Sequence, residues 1–303
     1  MREIVQCVPN ISEGRRQDVV EEIIQQVRYT EGVQLLDFSS DHDHNRTVIT
    51  FVGDLFAVQE AAFQLTSKAV ELINMEDHQG AHPRIGAVDV IPFIPIQGVT
   101  MKDCVEGAKE LGKRINRALQ VPVYLYGEAA SRPERKNLSN IRKGQYEGLK
   151  KTIKNVNRCP DFGEPRLHPT AGAVVVGARM PLIAFNVNLG THKKEIADHI
   201  ARAVRESSGG FKNVKGMGVV LEERGQVQVS MNLENYPITP IYRVLEMIRQ
   251  EAARCGVSIV GTEIVGLVPQ QALIDTAAWY LQLESFEPSQ VLENRLRSSA
   301  GGD

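Results

Sequence analysis

The sequence lacks the features of membrane, secreted and nucleic-acid-binding proteins. No apolar run reaches about 18 residues, and the N-terminus MREIVQCVPN has no apolar stretch of a signal peptide. Charge of one sign is not in excess, since 35 Lys and Arg side chains accompany 37 Asp and Glu side chains and the net charge is -2. Nucleic-acid binders usually carry a basic excess. We therefore expect a cytoplasmic protein with neither a membrane nor a nucleic acid as partner.

Cysteine is scarce, and several common catalytic signatures are missing. The cysteines follow no CxxC spacing, so we expect reduced thiols. No P-loop, HExxH or GxSxG motif is present, and the Gly216-Met217-Gly218 run lacks the third glycine of a dinucleotide-binding loop. The sequence thus gives no sign of a nucleotide-binding, zinc-protease or serine-hydrolase site. The four cysteines are Cys7, Cys104, Cys159 and Cys255.

What is present is the composition of a folded protein with a good core. The chain has 303 residues, of which 42% are hydrophobic and 24% charged, so one large domain or two of ordinary size are expected. Hydrophobic periodicity in the N-terminal half predicts strand, helix, strand, strand, helix, strand, the order of ferredoxin-like sheets. Ser12 and Asp54 are the expected N-caps of the two helices. The strands are predicted over 3–9, 33–38, 47–53 and 88–94, with a polar loop over 39–46.

The middle of the chain is less regular. Prolines at 92 and 95 predict that strand 88–94 is short or at an edge. A helix over 101–119 with Thr100 as cap and a strand over 122–127 come next. We interpret 128–158 as a polar, cation-rich excursion ending in a helix near 145–155. Residues 159–172 hold three prolines and two glycines, which predicts a structured loop or linker.

The C-terminal half repeats the same order of elements from residue 182 onward, without a repeat of residues. We therefore predict an α/β (α+β) fold of two βαββαβ-like subdomains, 1–178 and 179–303, with a ligand cleft between them. The predicted elements are strands 173–178 and 182–189, helix 192–207 capped by Thr191, a hairpin of 214–223 and 226–233 turned at Arg224-Gly225, a helix capped by Thr239 with Pro240 first, strand 257–266, and helices near 269–283 and 288–297.

The most chemically suggestive stretch is Gly80 to Pro92, GAHPRIGAVDVIP. It places His82 and Arg84 two residues apart on a loop before a strand, with Gly80 and Gly86 expected to allow tight turns. An imidazole beside a cation at such a position suits proton transfer on an anionic substrate. A loop histidine that only bonds the backbone is the alternative interpretation.

Three arginines accompany this loop. Arg46 precedes a predicted strand, Arg84 is next to His82, and Arg166 lies in the Pro/Gly-rich segment. A planar guanidinium binds carboxylates through two hydrogen bonds. Together the three suit a dicarboxylate substrate, although each alone is compatible with a surface position.

The run Asp41-His42-Asp43-His44 supports a second hypothesis. Carboxylates and imidazoles bind zinc or iron, and His78 and His82 would complete a set of ligands. A solvated turn is the preferred interpretation, because alternating residues of a polar loop need not converge. We expect no metal site.

Longer stretches resemble the formiminotransferase family, which includes stand-alone bacterial glutamate formimidoyltransferases and one part of the animal formiminotransferase-cyclodeaminase. The matching stretches lie in order along nearly the whole chain. They are CVPNISEG (7–14), NRTVITFVG (45–53), HPRIGAVDVIPFIPIQGVTMKDC (82–104), PVYLYGEAA (122–130), PDFGEP (160–165), GARMPLIAFNVNL (177–189) and VGLVPQQALIDTAAWY (265–280).

The resemblance implies a fold, a reaction and a set of residues. The fold is two subdomains whose mixed sheets face each other with helices outside, assembled as a homodimer. The reaction is transfer of the formimino group from N-formimino-L-glutamate to N5 of tetrahydrofolate, a co-substrate that carries a polyglutamate tail, in histidine degradation. The catalytic histidine corresponds to His82. The folate-contacting segment corresponds to Gly163, Glu164, Pro165, Arg166, Leu167, His168, Pro169, Thr170, Ala171 and Gly172.

The expected chemistry needs no tightly bound cofactor. N5 loses a proton as it attacks the amidine carbon, and the departing glutamate nitrogen gains one, so one imidazole with a pKa near ~6.5 serves both steps. Arg46, Arg84 or Arg166 would hold carboxylates. The chain ends at residue 303, so a separate cyclodeaminase is expected downstream. Formyl transfer between 5-formyltetrahydrofolate and glutamate, a non-catalytic folate-binding protein, and a metal hydrolase remain alternatives.

Overall fold

The computed structural model describes residues 3–300. The chain divides into two compact units, Met1–Arg179 and Met180–Asp303. Among the described helices, none combines the length and apolar character needed to cross a membrane. The α+β class with two sheets is confirmed, and most strands and helices follow the predicted order. The strand predicted over 173–178 at the start of the C-terminal half belongs instead to the sheet of the first unit, and the short strand Asn10–Ile11 was not predicted.

The first unit contains a seven-stranded mixed sheet. Its strand order is β3, β4, β1 with β2, β5, β7, β6, where β1 and β2 share one position between β4 and β5. The strands are β1 Ile4–Cys7, β2 Asn10–Ile11, β3 Val33–Asp41, β4 Arg46–Gly53, β5 Val88–Gln97, β6 Val123–Gly127 and β7 Val174–Ala178, and the helices are α1 Gln17–Arg28, α2 Leu55–Leu72, α3 Met101–Leu119, α4 Leu138–Ile141 and α5 Gln145–Thr152.

Both faces of this sheet are covered. Helices α1, α2 and α3 bury one face, where Ile24, Phe51 and Leu65 are fully buried. On the other face, Ile141 of α4 and Leu149 of α5 form a second apolar cluster with strand residues. The excursion predicted over 128–158 is therefore a covering layer rather than a solvated surface.

Strand β5 corrects a prediction. It lies inside the sheet and runs through residue 97, with β1 and β2 antiparallel on one side and β7 parallel on the other. Pro95 is opposite Val5, next to a register shift in β1. A residue without an N–H fits at such an irregularity, so proline did not mark an edge.

The start of α1 is also corrected. The helix begins at Gln17, after Arg16, and Ser12 is not its cap. The Ser12 hydroxyl donates to the carbonyl oxygen of Gly86, 2.7 Å away. A carboxylate oxygen of Glu13 accepts instead from the N–H groups of residues 14, 15 and 16 at 2.9–3.0 Å. The expected caps Asp54 and Thr100 are confirmed, and Thr100 forms a capping box with Asp103.

The β3–β4 hairpin is longer than predicted. Ladder pairs reach Asp41 opposite Arg46, so the loop expected over 39–46 shrinks to a turn of residues 42–45. The hydroxyls of Ser40 and Thr47 lie 2.8 Å apart across the strands. Such a polar pair extends a ladder beyond its apolar part.

The second unit is built on an antiparallel sheet with the order β11-β8-β10-β9. We expected parallel and antiparallel pairs in both sheets. Among the described strands, parallel pairs occur only in the sheet of the first unit. The core of the second unit joins inward residues of β8 and β10, such as Val187 and Val229, to Ile248 of α7. The strands are β8 Ile183–Leu189, β9 Val214–Leu221, β10 Gln226–Leu233 and β11 Ile259–Val265, and the helices are α6 Lys194–Val204, α7 Ile241–Arg254, α8 Gln270–Tyr280 and α9 Leu292–Ala300.

Helices α6 and α7 start two residues and one residue later than predicted, respectively. Helix α6 follows Lys193, and the Thr191 hydroxyl only accepts from the Lys193 N–H at 3.3 Å. Helix α7 follows Pro240, and the Thr239 hydroxyl donates to the carbonyl oxygen of Lys212 at 2.7 Å. The Thr239 hydroxyl thus bonds to a partner distant in sequence, whereas the Thr191 contact is local.

Candidate active site

His82 lies on the loop between α2 and β5, and this loop rests on backbone at both ends. A Cβ on Gly80 would collide with the carbonyl oxygen of His44, and one on Gly86 would collide with that of Ala173. Neither glycine has a positive φ. The two glycines therefore serve close approach of backbone, not the tight turns expected from the sequence.

The turn between β3 and β4 packs against the histidine loop. The N–H of Ala81 donates to the carbonyl oxygen of Asp43 at 3.1 Å, and the Asn45 side chain donates to that of Gln79 at 3.0 Å. The rings of His44 and His82 meet edge to face, with centroids 6.3 Å apart. This places the Asp41–His44 run beside the candidate catalytic imidazole.

Within that run, Asp41 organises the turn. One of its oxygens accepts the His44 N–H at 2.8 Å. The other oxygen lies 2.9 Å from Nδ1 of His44, which is buried and lacks the alignment of a hydrogen bond. His42 and Asp43 are exposed. Across residues 3–300, no group of three or more His, Cys, Asp or Glu side chains is placed to hold a metal ion.

Arg84 is buried and its guanidinium is used inside the protein. It donates to both carboxylate oxygens of Glu147, at 2.7 and 3.0 Å, and to the Gln145 side chain at 2.9 Å. It also donates to Nδ1 of His78 at 3.1 Å. Nε2 of His78 therefore carries the ring hydrogen and donates to the carbonyl oxygen of Asn45, 3.0 Å away. These contacts favour a structural role; the predicted substrate contact of Arg84 stays a prediction.

Two further guanidinium groups act on His82. Arg46 begins β4 and is half-buried, and Arg142 follows α4 and forms an ion pair with the buried Asp89. The Nε atoms of both arginines are buried without a hydrogen-bond partner within the described residues. Unsatisfied buried donors are rare in proteins, so these two atoms favour an acceptor, such as an anion, that the described residues do not supply.

The electrostatic setting makes His82 a neutral imidazole. Burial lowers the pKa of His82 from 6.5 to about 2, and the positive charges of Arg46 and Arg142 add to this effect. A neutral imidazole has a free lone pair and accepts a proton. The site thus offers a base surrounded by cations, which suits an anionic substrate that gives up a proton.

The Pro/Gly-rich segment reaches the histidine loop with its last residues. The N–H of Ala87 donates to the carbonyl oxygen of Ala171 at 2.9 Å, and that of Ala173 donates to Ile85 at 3.0 Å. Gly172 has a φ of +70° and faces Ile85 and Gly86. Two segments singled out from the sequence therefore lie side by side.

The earlier part of the segment is more exposed. Arg166 pairs with Glu164 at 3.0 Å, and both side chains are about three-quarters exposed. Nδ1 of His168 accepts the N–H of Ala171 at 3.0 Å. Residues 165–169 line a cavity of about 300 Å³ together with Tyr146 and Lys150. Folate contacts of Gly163 through Gly172 stay a prediction.

Sequence reasoning named His82, Arg46 and Arg84 but missed Arg142 and Asp89. The sequence could have identified Asp89, because a lone acid inside the apolar run AVDVIPFIPI needs a buried partner. No feature of the sequence distinguishes Arg142, since it is one of several cations in a polar stretch.

Comparisons with known proteins identify the family of this chain. The profile described as "Formiminotransferase domain, N-terminal subdomain" matches residues 4–179, and that of "Formiminotransferase domain" matches 184–295. The chain belongs to the formiminotransferase family.

Individual relatives narrow this class. The chain is 50% identical to "Glutamate formimidoyltransferase" of Streptococcus pyogenes serotype M1, over 98% of this chain and 99% of the relative. It is also 50% identical to the protein of that name from Thermoplasma acidophilum, over 98% of each. "Formimidoyltransferase-cyclodeaminase" of Rattus norvegicus is 46% identical over 94% of this chain and 53% of its own. The resemblance noted in the sequence is confirmed, and the chain is an enzyme of the glutamate formimidoyltransferase type.

Proposed function

We propose that this enzyme transfers the formimino group of N-formimino-L-glutamate to N5 of tetrahydrofolate, with His82 as general acid and base. Membership of the formiminotransferase family supports the reaction. The observation that carries the assignment of His82 is its neutral ring on a loop held by backbone, surrounded by cations.

The steps conserve atoms and charge. N5 of the reduced pterin attacks the amidine carbon and forms a tetrahedral adduct, while its proton passes to the free ring nitrogen of His82. The bond between the former amidine carbon and the glutamate nitrogen then breaks, and the imidazolium returns the proton to that nitrogen. The products are 5-formiminotetrahydrofolate and glutamate. Acid–base help of this kind is worth ~10²–10⁴ in rate.

The negative charge of a bound substrate changes the pKa of His82. In the free enzyme, burial and the charges of Arg46 and Arg142 hold the pKa of His82 far below 6.5. A bound carboxylate offsets those positive charges, which raises the pKa of His82 toward its ordinary range. Burial, the first cause of the lowered pKa, persists in the substrate complex, so the carboxylate acts on the contribution of the two arginines.

Further expectations belong to the same proposal. Residues 163–172 and Arg46 would contact substrate, and tetrahydrofolate is the co-substrate without a tightly bound cofactor. The protein would act in the cytoplasm as a homodimer within histidine degradation. A separate cyclodeaminase would use the product, as the rat relative carries both activities in its printed name.

A steady-state assay tests the proposal. Tetrahydrofolate is offered with N-formimino-L-glutamate or N-formyl-L-glutamate, to wild type and to His82→Ala. We expect turnover of the formimino donor, reduced at least ~10²-fold in kcat by the substitution, with folate binding retained. His192→Ala removes an exposed imidazole and is the matched control.

Three results would contradict it. Turnover of the formyl donor alone would change the reaction but keep the site. A near-normal kcat in His82→Ala would remove this residue from proton transfer. Folate binding without turnover of either donor would indicate a binding protein.

A further inference from the structure

Arg142 is held in place from both ends. The guanidinium of Arg158 donates to the carbonyl oxygens of Asn140, Ile141 and Lys143 at 3.0–3.1 Å, which fixes the backbone on both sides of residue 142. Ile141 anchors the same turn in the apolar cluster on the sheet. The position of Arg142 is therefore set by its own segment and does not depend on a ligand.

Asp89 fixes the other end of the side chain. One carboxylate oxygen of Asp89 accepts a hydrogen bond from the N–H of Ile85 at 2.9 Å. The other accepts one from Nη2 of Arg142. Ile85 is three residues beyond His82 on the same loop. Asp89 thus joins Arg142 to the histidine loop, and only 15% of the Arg142 side chain and 2% of the Asp89 side chain are exposed.

One edge of this guanidinium is left without a partner. Nη2 is used by Asp89, whereas Nε is buried and bonds to nothing in the described part of the chain. The same holds for Nε of Arg46. Two cations beside one imidazole, each with an unused buried donor, form a site that an anion would complete.

We propose that Arg142 is a substrate-binding residue that, together with Arg46, holds the α-carboxylate of the formimino donor beside His82, and that Asp89 positions it. This inference rests on the proposed function. It assigns a role to a residue in a segment that the sequence presented as polar surface.

The donor is favoured over the folate tail by simple geometry. The carbon of the α-carboxylate is three bonds from the amidine carbon, a span of about 4 Å at most. A reacting amidine near His82 brings that carboxylate to the neighbouring arginines. The glutamate tail of folate is separated from N5 by the aminobenzoyl ring and therefore lies farther from the imidazole.

The experiment compares donors on matched variants. N-formimino-L-glutamate is compared with N-formimino-4-aminobutyrate, which lacks the α-carboxylate, on wild type, Arg142→Gln and Lys143→Gln. Lys143 is exposed and carries the same charge one position along. We expect wild type and Lys143→Gln to prefer the full donor, and Arg142→Gln to lose about 10- to 100-fold of that preference in kcat/KM.

Two further readouts separate the donor site from the folate site and donor binding from turnover. KM for tetrahydrofolate should be unchanged in Arg142→Gln; a rise there with an unchanged donor preference would assign Arg142 to the folate tail and overturn the inference. Calorimetric titration of N-formimino-L-glutamate without folate is done in parallel. Equal affinity of wild type and Arg142→Gln overturns the inference even if turnover is normal. If wild type binds the donor but turns over none, the proposed function fails while the site stands.

The positioning role of Asp89 has its own test. In wild type, Asp89→Asn should reduce the donor preference, because Arg142 loses its charged anchor. In the Arg142→Gln background the same substitution should change the preference no further. A further loss in the double variant would mean that Asp89 acts on the fold of the loop and not through Arg142.

Discussion

At the scale of single residues, the site is defined by polar groups that the fold buries. His82 and Asp89 lie close in sequence, on a loop and on the strand that follows it, whereas Arg142 comes directly after a short helix 53 residues from Asp89. The sequence identifies His82 because proline, arginine and glycine surround it in a recognisable stretch. It does not identify Arg142, because only the packing of α4 on the sheet brings that cation to Asp89.

The low pKa of His82 predicts a pH effect on stability. Because burial and the nearby arginines keep the ring neutral in the folded protein, the unfolded chain binds one more proton once the pH falls below 6.5. Stability contributed by the neutral ring is present above that pH and is lost below it. Between about pH 7 and about pH 5, the free energy of unfolding should therefore fall less for His82→Gln than for wild type.

Urea denaturation at the two pH values measures this difference. His192→Gln, at an exposed position, is the control and should follow wild type. The lowered pKa values of His78 and His168, also due first to burial, affect all three proteins alike. Identical slopes for wild type and His82→Gln would contradict a depressed pKa in the folded enzyme.

At the scale of elements, the sequence predicts most helices and strands and fails mainly at their ends. Periodicity and the caps Asp54 and Thr100 define α2 and α3 correctly. Ser12 and Thr239 would be good caps by residue type, but each hydroxyl bonds to a carbonyl elsewhere in the fold. Local propensity cannot report such partners, which exist only after the chain has folded.

The start of α1 gives a second prediction. The Glu13 carboxylate accepts hydrogen bonds from three N–H groups there. It also forms an ion pair with Arg16 at 2.6 Å. Burial alone would raise the pKa of Glu13, but the N–H groups of Arg16 and Arg15 and the Arg16 side chain outweigh it and lower the pKa. Glu13→Gln should lower the free energy of unfolding by about 1–2 kcal/mol near neutral pH, and this loss should shrink in acid.

Chemical denaturation of Glu13→Gln and Glu22→Gln measures the effect. Glu22 lies exposed on the same helix, so its substitution removes the same charge without removing a cap. Equal stability of the two variants would mean that Glu13 does not hold the helix start.

At the scale of the whole molecule, the chain has a separate buried core in each unit. The sequence predicts this division because the order of strands and helices repeats after residue 182. The sequence also predicts a subdomain boundary between residues 178 and 179. That the two parts behave as separate subdomains in solution stays a proposal. How each core closes depends on side-chain shapes that periodicity does not contain.

Hydrogen exchange gives a prediction for that boundary. Ile248→Ala removes a fully buried side chain of α7 and should cost about 2–5 kcal/mol in the second unit. Amides of β8 and β10 should then exchange faster, while those of β5 keep their protection. Ile24→Ala, in the first unit, should give the reverse pattern. Equal loss of protection in both units by either variant would mean that the whole chain opens as one cooperative body.

The contact of the histidine loop with backbone at Gly80 and Gly86 also limits how this enzyme can change over evolutionary time. At those positions the obstacle is a carbonyl oxygen of the main chain, belonging to His44 and to Ala173, and not a side chain that a second mutation could shorten. Room at either position requires a shift of the main chain itself. Among active variants from a library randomised across this loop, both positions would return glycine alone, while the exposed Pro83 between them would tolerate replacement.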